Sequence, residues 1–171
     1  ILVDGIRVTT SWSDLPITFS GSGEWSEAAR WNTTTVPGST QSVVINGTAT
    51  VNSNVEVAGL TINSAKSLTV NAAKQLTVSG ALANNGTLNL LSSTDGTATL
   101  KTSAAITGSG SATVQQYLTN QSWYLTSPVS GTVTPTNLSR IQGFNEGVGT
   151  GNDWSVSGTT MTAGKGYITS V

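Results

Sequence analysis

Between residues 47 and 114 one short apolar phrase keeps returning: GTATV (47–51), VEV (55–57), LTI (60–62), LTV (68–70), LTV (76–78), LNL (88–90), GTATL (96–100) and SATV (111–114). Each phrase alternates apolar and polar residues, which predicts a short strand with one buried face. The intervening NSN, NSAK, NAAK, NNG, STDG and GSGS segments are built from residues that tolerate positive φ or bond their own backbone, and these read as turns. No helical period interrupts them. The chain is therefore predicted to be all-β.

Spacing adds to alternation. Aligning residues 48–51 with 68–70, 88–90 and 112–114 gives a step of roughly 20 to 24 residues. Residues 55–57, 76–78 and 98–100 form a second row with the same step, and 60–62, Leu82 and Ile106 form a third. Three rows with one period predict a parallel β-helix, or β-solenoid, in which every coil lays three strands on those of the coil before. The alternative is a β-sandwich of antiparallel hairpins whose phrases look alike only because the composition is rich in Thr, Ser, Asn and Gly.

The flanks differ in character. Residues 1–45 hold strand-like pieces at 1–10 and 17–19 and a group of rings, and are expected to form N-terminal strands and an aromatic cap; residues 46–116 are expected to be the solenoid. Residues 117–171 carry WYLTS, GTVT, RIQGF, WSVSG and GYITS with longer connections, which predicts a small antiparallel β unit. This unit runs into Val171 in mid-strand and reads as truncated. Residues 1–10 are read as a strand of their own domain, or else as a strand added to a neighbouring copy's sheet.

Composition narrows the chemistry. Charged residues make up 9% of the 171, and the formal net charge is −1, with basic residues scattered along the chain. A nucleic-acid partner is therefore not expected. Without cysteine or histidine, the chain has no thiol nucleophile, no Ser–His pair and no ordinary zinc site. No apolar run is long enough to span a bilayer, so membrane insertion is not expected. Low charge also suits stacked coils, where a residue sits over its like and equal charges would repel.

Candidate sites are few. Every aromatic residue lies outside the repeats, with Trp12, Phe19, Trp25 and Trp31 before them and Tyr117, Trp123, Tyr124, Phe144, Trp154 and Tyr167 after. Large rings at both ends would cap a solenoid whose end coils cannot be left open. Trp12, Trp123 and Trp154 are the candidates for stacking on a ligand such as a sugar. Glu146 and Asp153, in the glycine-containing segment 145–153, are the candidate metal ligands. Glu56 and Asp95 are the only carboxylates within the repeats, and Asp95 has the ordinary look of a turn residue. No catalytic residue and no cofactor is expected.

The segment GEWSEAARWNTTTVPGSTQSVVI, with Trp25, Ser26, Trp31, Val36, Pro37, Val43, Val44 and Ile45, resembles secreted Bacteroidota cell-surface proteins, in which W-S-x-x-x-x-W precedes L-T-V repeats. The similarity extends to SWYLTSPVSG (122–131) and to AGKGYITSV (163–171), where Ala163 replaces the proline usual there. The resemblance implies an extracellular or cell-surface location, export by the type IX route, and a much larger parent of which this chain is an excerpt. With no clustered carboxylates or bases in the repeats, the chain is read as a structural or adhesive segment rather than an enzyme. The partners expected are surface glycans, through exposed tryptophans, or neighbouring copies of the same chain, through residues 1–10. Other readings left open are a carbohydrate-binding module and a subunit of a surface fibre joined through residues 1–10.

Overall fold

The alternation becomes burial. A computed structural model describes residues 16–119, 123–126, 131–135, 138, 140–144, 154–156, 158 and 160–170, with the backbone alone at 123–126, Phe144 and 154–156. The chain divides into two compact units, Ile1–Gln116 and Tyr117–Val171.

The first unit is a parallel β-solenoid of about four turns. Strand β1 (Ile17–Glu24) lies parallel to β2 (Ser42–Val51) over its full length, from Ile17 against Val43 to Glu24 against Thr50. The other side of β2 is shared. Its first half pairs with β4 (Gly59–Ile62) and its second half with β5 (Ser67–Val70), so one ten-residue strand serves two rows of the coil. The first row continues through β7 (Leu82–Asn84) to β12 (Ile106–Thr107), and the second through β8 (Thr87–Leu90) to β13 (Ser111–Val114). A third row is formed by β3 (Val55–Val57), β6 (Gln75–Val78) and β11 (Thr99–Thr102). Among the described residues, every ladder of this unit is parallel except the short hairpin β9 (Ser92–Ser93)–β10 (Gly96–Thr97). A sandwich of antiparallel hairpins is thereby excluded.

Registers stack like on like. Leu68 lies on Leu88, Val70 on Leu90, Leu60 on Leu82 and Val57 on Val78, all buried. These columns fill the interior with aliphatic side chains, each worth about 1.5–3 kcal/mol on full burial. One interior column changes type: Phe19, Ile45 and Ile62 are followed by the buried Asn84. Its polar atoms are satisfied by the backbone of the corner, since Nδ2 donates to Ser111 O at 2.9 Å and Oδ1 accepts from Gly86 N at 3.1 Å. Asn84 thus ties one coil to the next where an isoleucine could only pack.

Corners are built from Asn and small residues. Asn63 N donates to Ile45 O at 3.1 Å, Asn71 N to Val51 O at 3.1 Å and Asn85 N to Ile62 O at 2.8 Å, so the ladder is carried round the bends. The NSAK and NAAK segments are matching turns, with Lys66 N on Asn63 O and Lys74 N on Asn71 O, each at 3.1 Å. Ala65 and Ala73 occupy the left-handed region at φ +57° and +58°. At Gly86 a Cβ would stand 2.3 Å from Lys66 O and 2.5 Å from Asn63 O. Only glycine lets the next coil approach that corner.

The second unit carries an antiparallel sheet in the order β14 (Trp123–Thr126), β19 (Tyr167–Ser170), β16 (Arg140–Phe144) and β17 (Trp154–Val156). A separate antiparallel pair joins β15 (Thr132–Val133) to β18 (Met161–Thr162). Ile141, Met161 and Tyr167 are buried together with Leu138 against them, and the Tyr167 hydroxyl accepts a hydrogen bond from Thr162 N at 2.8 Å. No α-helix occurs among the described residues, and no helix there is long and apolar enough to cross a membrane.

Two substitutions separate the corner constraints. Gly86→Ala is expected to lower stability by about 3 kcal/mol, because backbone must move to admit the methyl group. Ala65→Gly is expected to raise it by up to about 1 kcal/mol, as relief of the left-handed cost exceeds the added unfolded-state entropy. Chemical denaturation of the two variants checks both signs.

Candidate functional site

Each row of the solenoid presents a different outward surface, because residues between the buried ones point to solvent and stack in register. On the second row one outward column runs Ser22, Thr48, Ser67, Thr87, Ser111. The column beside it runs Glu24, Thr50, Thr69, Asn89, Thr113. Asn89 Nδ2 donates to Thr69 Oγ1 at 3.3 Å, linking two rungs through side chains. The third row instead carries Glu56, Thr77 and Lys101 in register. Thr77 stands on the rung between them, so the two opposite charges are two rungs apart, and no like charges stack there.

The W-S-x-x-x-x-W residues lie at the start of the stack. After β1 the chain turns at Trp25, whose N donates to Thr50 O at 2.7 Å, and passes through a 3-10 turn at Ala28–Arg30 to Trp31. Trp25 and Trp31 are buried edge to face with centroids 4.8 Å apart, and Phe19 meets Trp31 in the same manner at 5.2 Å. Trp31 Nε1 donates to Trp25 O at 2.9 Å, which fixes the second ring against the backbone of the first. Trp25 Nε1 is buried with no partner among the described residues. These rings are the end of the hydrophobic core, not a ligand platform.

The outer edge of β1 is covered by polar groups from the same segment. Asn32 N donates to Thr18 O at 3.0 Å while Asn32 Oδ1 accepts from Thr18 N at 2.9 Å, so one residue imitates a neighbouring strand. Further along, Glu27 accepts from Glu24 N at 3.1 Å and pairs with Arg30 at 2.9 Å. The Glu24 N–H, and after it the Arg30 guanidinium, hold the Glu27 carboxyl below its ordinary pKa. The contribution of this exposed carboxylate is present at neutral pH and is lost as pH falls through the lowered value. Glu24 also accepts from Asn52, which in turn reaches Ser26 at 3.1 Å.

The structure does not assemble the residues singled out for ligands or metals. Trp12, Glu146 and Asp153 lie outside the described residues, and Trp123 and Trp154 are placed by backbone only, in β14 and β17. Glu56 is exposed on the third row of the first full coil, whereas Asp95 sits in the β9–β10 hairpin of a later one. Asp95 N donates to Ser93 Oγ at 3.1 Å, a turn contact. Among the described residues no group of three Asp or Glu comes together that could hold a metal ion. The two-column hydroxyl surface was not singled out by sequence reasoning, although its signal, T-x-T and S-x-T within the repeated phrases, is present in the chain.

A family model described as Domain of unknown function (DUF8693) matches residues 18–171. The chain belongs to this family. The match begins within β1 and spans both units, so the family's extent includes the cap, the solenoid and the antiparallel sheet. Searches of curated proteins and of solved structures gave no match.

The cap lends itself to a direct test. Trp31→Phe keeps a ring but removes the donor to Trp25 O, and is expected to cost about 1–3 kcal/mol. Trp31→Ala also opens a cavity at the end of the core and is expected to cost about 3–5 kcal/mol. Thermal and denaturant unfolding of the two variants should rank them in that order.

Proposed function

We propose that this chain is a structural and adhesive segment of a large secreted or surface-anchored bacterial protein, of the Bacteroidota type that its W-S-x-x-x-x-W and L-T-V phrases resemble, and that it is not an enzyme. It serves at the cell surface as a stiff spacer whose ends and faces make contacts, with surface glycans or further copies of itself as partners. The observation that supports this reading is the continuous parallel ladder from β1 to β13, in which each coil satisfies the backbone groups of the one before. Such a ladder resists bending and leaves little extended chain for a protease to grip. Neutral outward residues let the coils stack without repulsion.

Limited proteolysis of the intact chain with a broad-specificity protease tests the spacer role. The region from β1 to β13 is expected to survive as one fragment, and rapid cutting inside the rows would remove the spacer reading. Protease treatment of intact producing cells checks the location, since a surface segment is released while an internal one is spared.

The last coil favours one variation on this reading, a fibre subunit. Among the described residues no further strand lies on β11, β12 or β13, and Ile106 and Val114 of that coil are 49% and 43% exposed. Residues 1–10, outside the described residues, are the strand-forming sequence that would complete such an edge in a neighbouring copy. Light scattering of the intact chain and of one lacking residues 1–10 separates the two. Open-ended oligomers that vanish on truncation support the fibre, and monomers in both cases dismiss it.

A further inference from the structure

The second-row face is the surface of the solenoid whose outward chemistry repeats from rung to rung. Its first column bears a hydroxyl on all five rungs, and its second carries Thr or Asn on the last four, with Glu24 closing the array beside the cap. The first row shows no such constancy, as Thr18, Val44, Thr61 and Ala83 succeed one another. The third row is charged. Rungs lie about 4.8 Å apart and alternate residues along a parallel strand about 6.6 Å apart, so the hydroxyls form a lattice in two perpendicular directions.

We propose that this face binds ice, a role beyond that of a spacer. The prism face of hexagonal ice has oxygen repeats of similar size in two perpendicular directions, so water held by one rung is in step with water held by the next. A single hydroxyl gains little from a soluble ligand, because water competes for the same hydrogen bond. A crystal engages every rung at once, and small gains then add without a separate ordering cost for each. Threonine suits the task, since its branched Cβ restricts χ1 and holds methyl and hydroxyl in place. The Asn89–Thr69 hydrogen bond further fixes two of the rungs. A charged side chain would instead organise its own hydration, and none stands on the last four rungs. A glycan surface would call for ring faces on which sugars could stack, and these rungs carry no aromatic residue.

The test is ice-recrystallisation inhibition in a frozen sucrose film, together with the shape of single crystals grown in the protein solution. The intact chain is compared with Thr69→Lys, with Thr113→Lys on the exposed last rung, and with Thr61→Lys on the first row as a control. Circular dichroism and thermal unfolding establish that each variant is folded. The intact chain and Thr61→Lys are expected to slow grain growth and to facet crystals, while the two second-row variants lose both effects. Should Thr69→Lys fail to fold, Thr113→Lys decides. An intact chain without effect on ice overturns the proposal, as does equal loss in the first-row control. Sedimentation with insoluble cellulose or chitin and no action on ice would assign the face to a polysaccharide and overturn it as well.

Discussion

Everything in the first unit depends on one constraint, the pairing of each coil's backbone with the coil before it. A coil of three or four residues per face has no partner of its own, so its N–H and C=O groups are satisfied only by a neighbour in register. Register in turn forces identical positions together. Leucine falls on leucine inside, threonine on serine or threonine outside, and asparagine carries the ladder round the corners. The same closeness demands glycine at Gly86, where the approaching backbone leaves no room for a Cβ.

A stack satisfied by neighbours leaves its ends in deficit. At the start, the deficit is met within a few residues: Trp25 and Trp31 close the apolar interior, while Asn32, Glu27 and Arg30 cover the strand edge. Tryptophan supplies the most area per residue, and Trp31 also brings a donor that reaches the chain carrying its partner ring. Aromatic residues after the repeats do not all play the same part. Tyr167 is buried with Ile141 and Met161 in the second unit's own core, and Tyr117 is 47% exposed.

Much of the architecture was legible in the chain. The three rows drawn from spacing are the three strand rows of the solenoid, two of them joined in one sheet through β2, with Leu68 on Leu88 and Ala112, and Leu60 on Leu82 and Ile106. In the remaining row the alignment of 76–78 with 98–100 was two residues out, since Leu100 rather than Ala98 lies on Leu76. The five alternating pieces after residue 117 all contain strands of the second unit, β14 to β17 and β19. Other features escaped notice. β2 runs unbroken through Asn46–Gly47, across the boundary drawn between the cap segment 1–45 and the repeats, and β1 extends through the glycines at 21 and 23, which carry no strand signal at all. The two residues of β18 and the small hairpin at β9 and β10 were equally silent, being too short for any period to show.

The division has a physical cause. Alternation and coil length belong to one stretch of chain, so residues 47–114 by themselves determined which side of each strand is buried and where the rows repeat. What a residue meets one coil away belongs to the stack. Gly21 and Gly23 extend as strand because β2 lies against them, and Asn84 is buried because Ser111 and Gly86 are there to bond it. Serine and threonine, scattered in sequence among similar neighbours, became two straight columns only when parallel register set them above one another. Trp25 and Trp31 could have been a binding platform or an end of the core. Tertiary packing decided for the core, because an open coil had apolar surface there to cover.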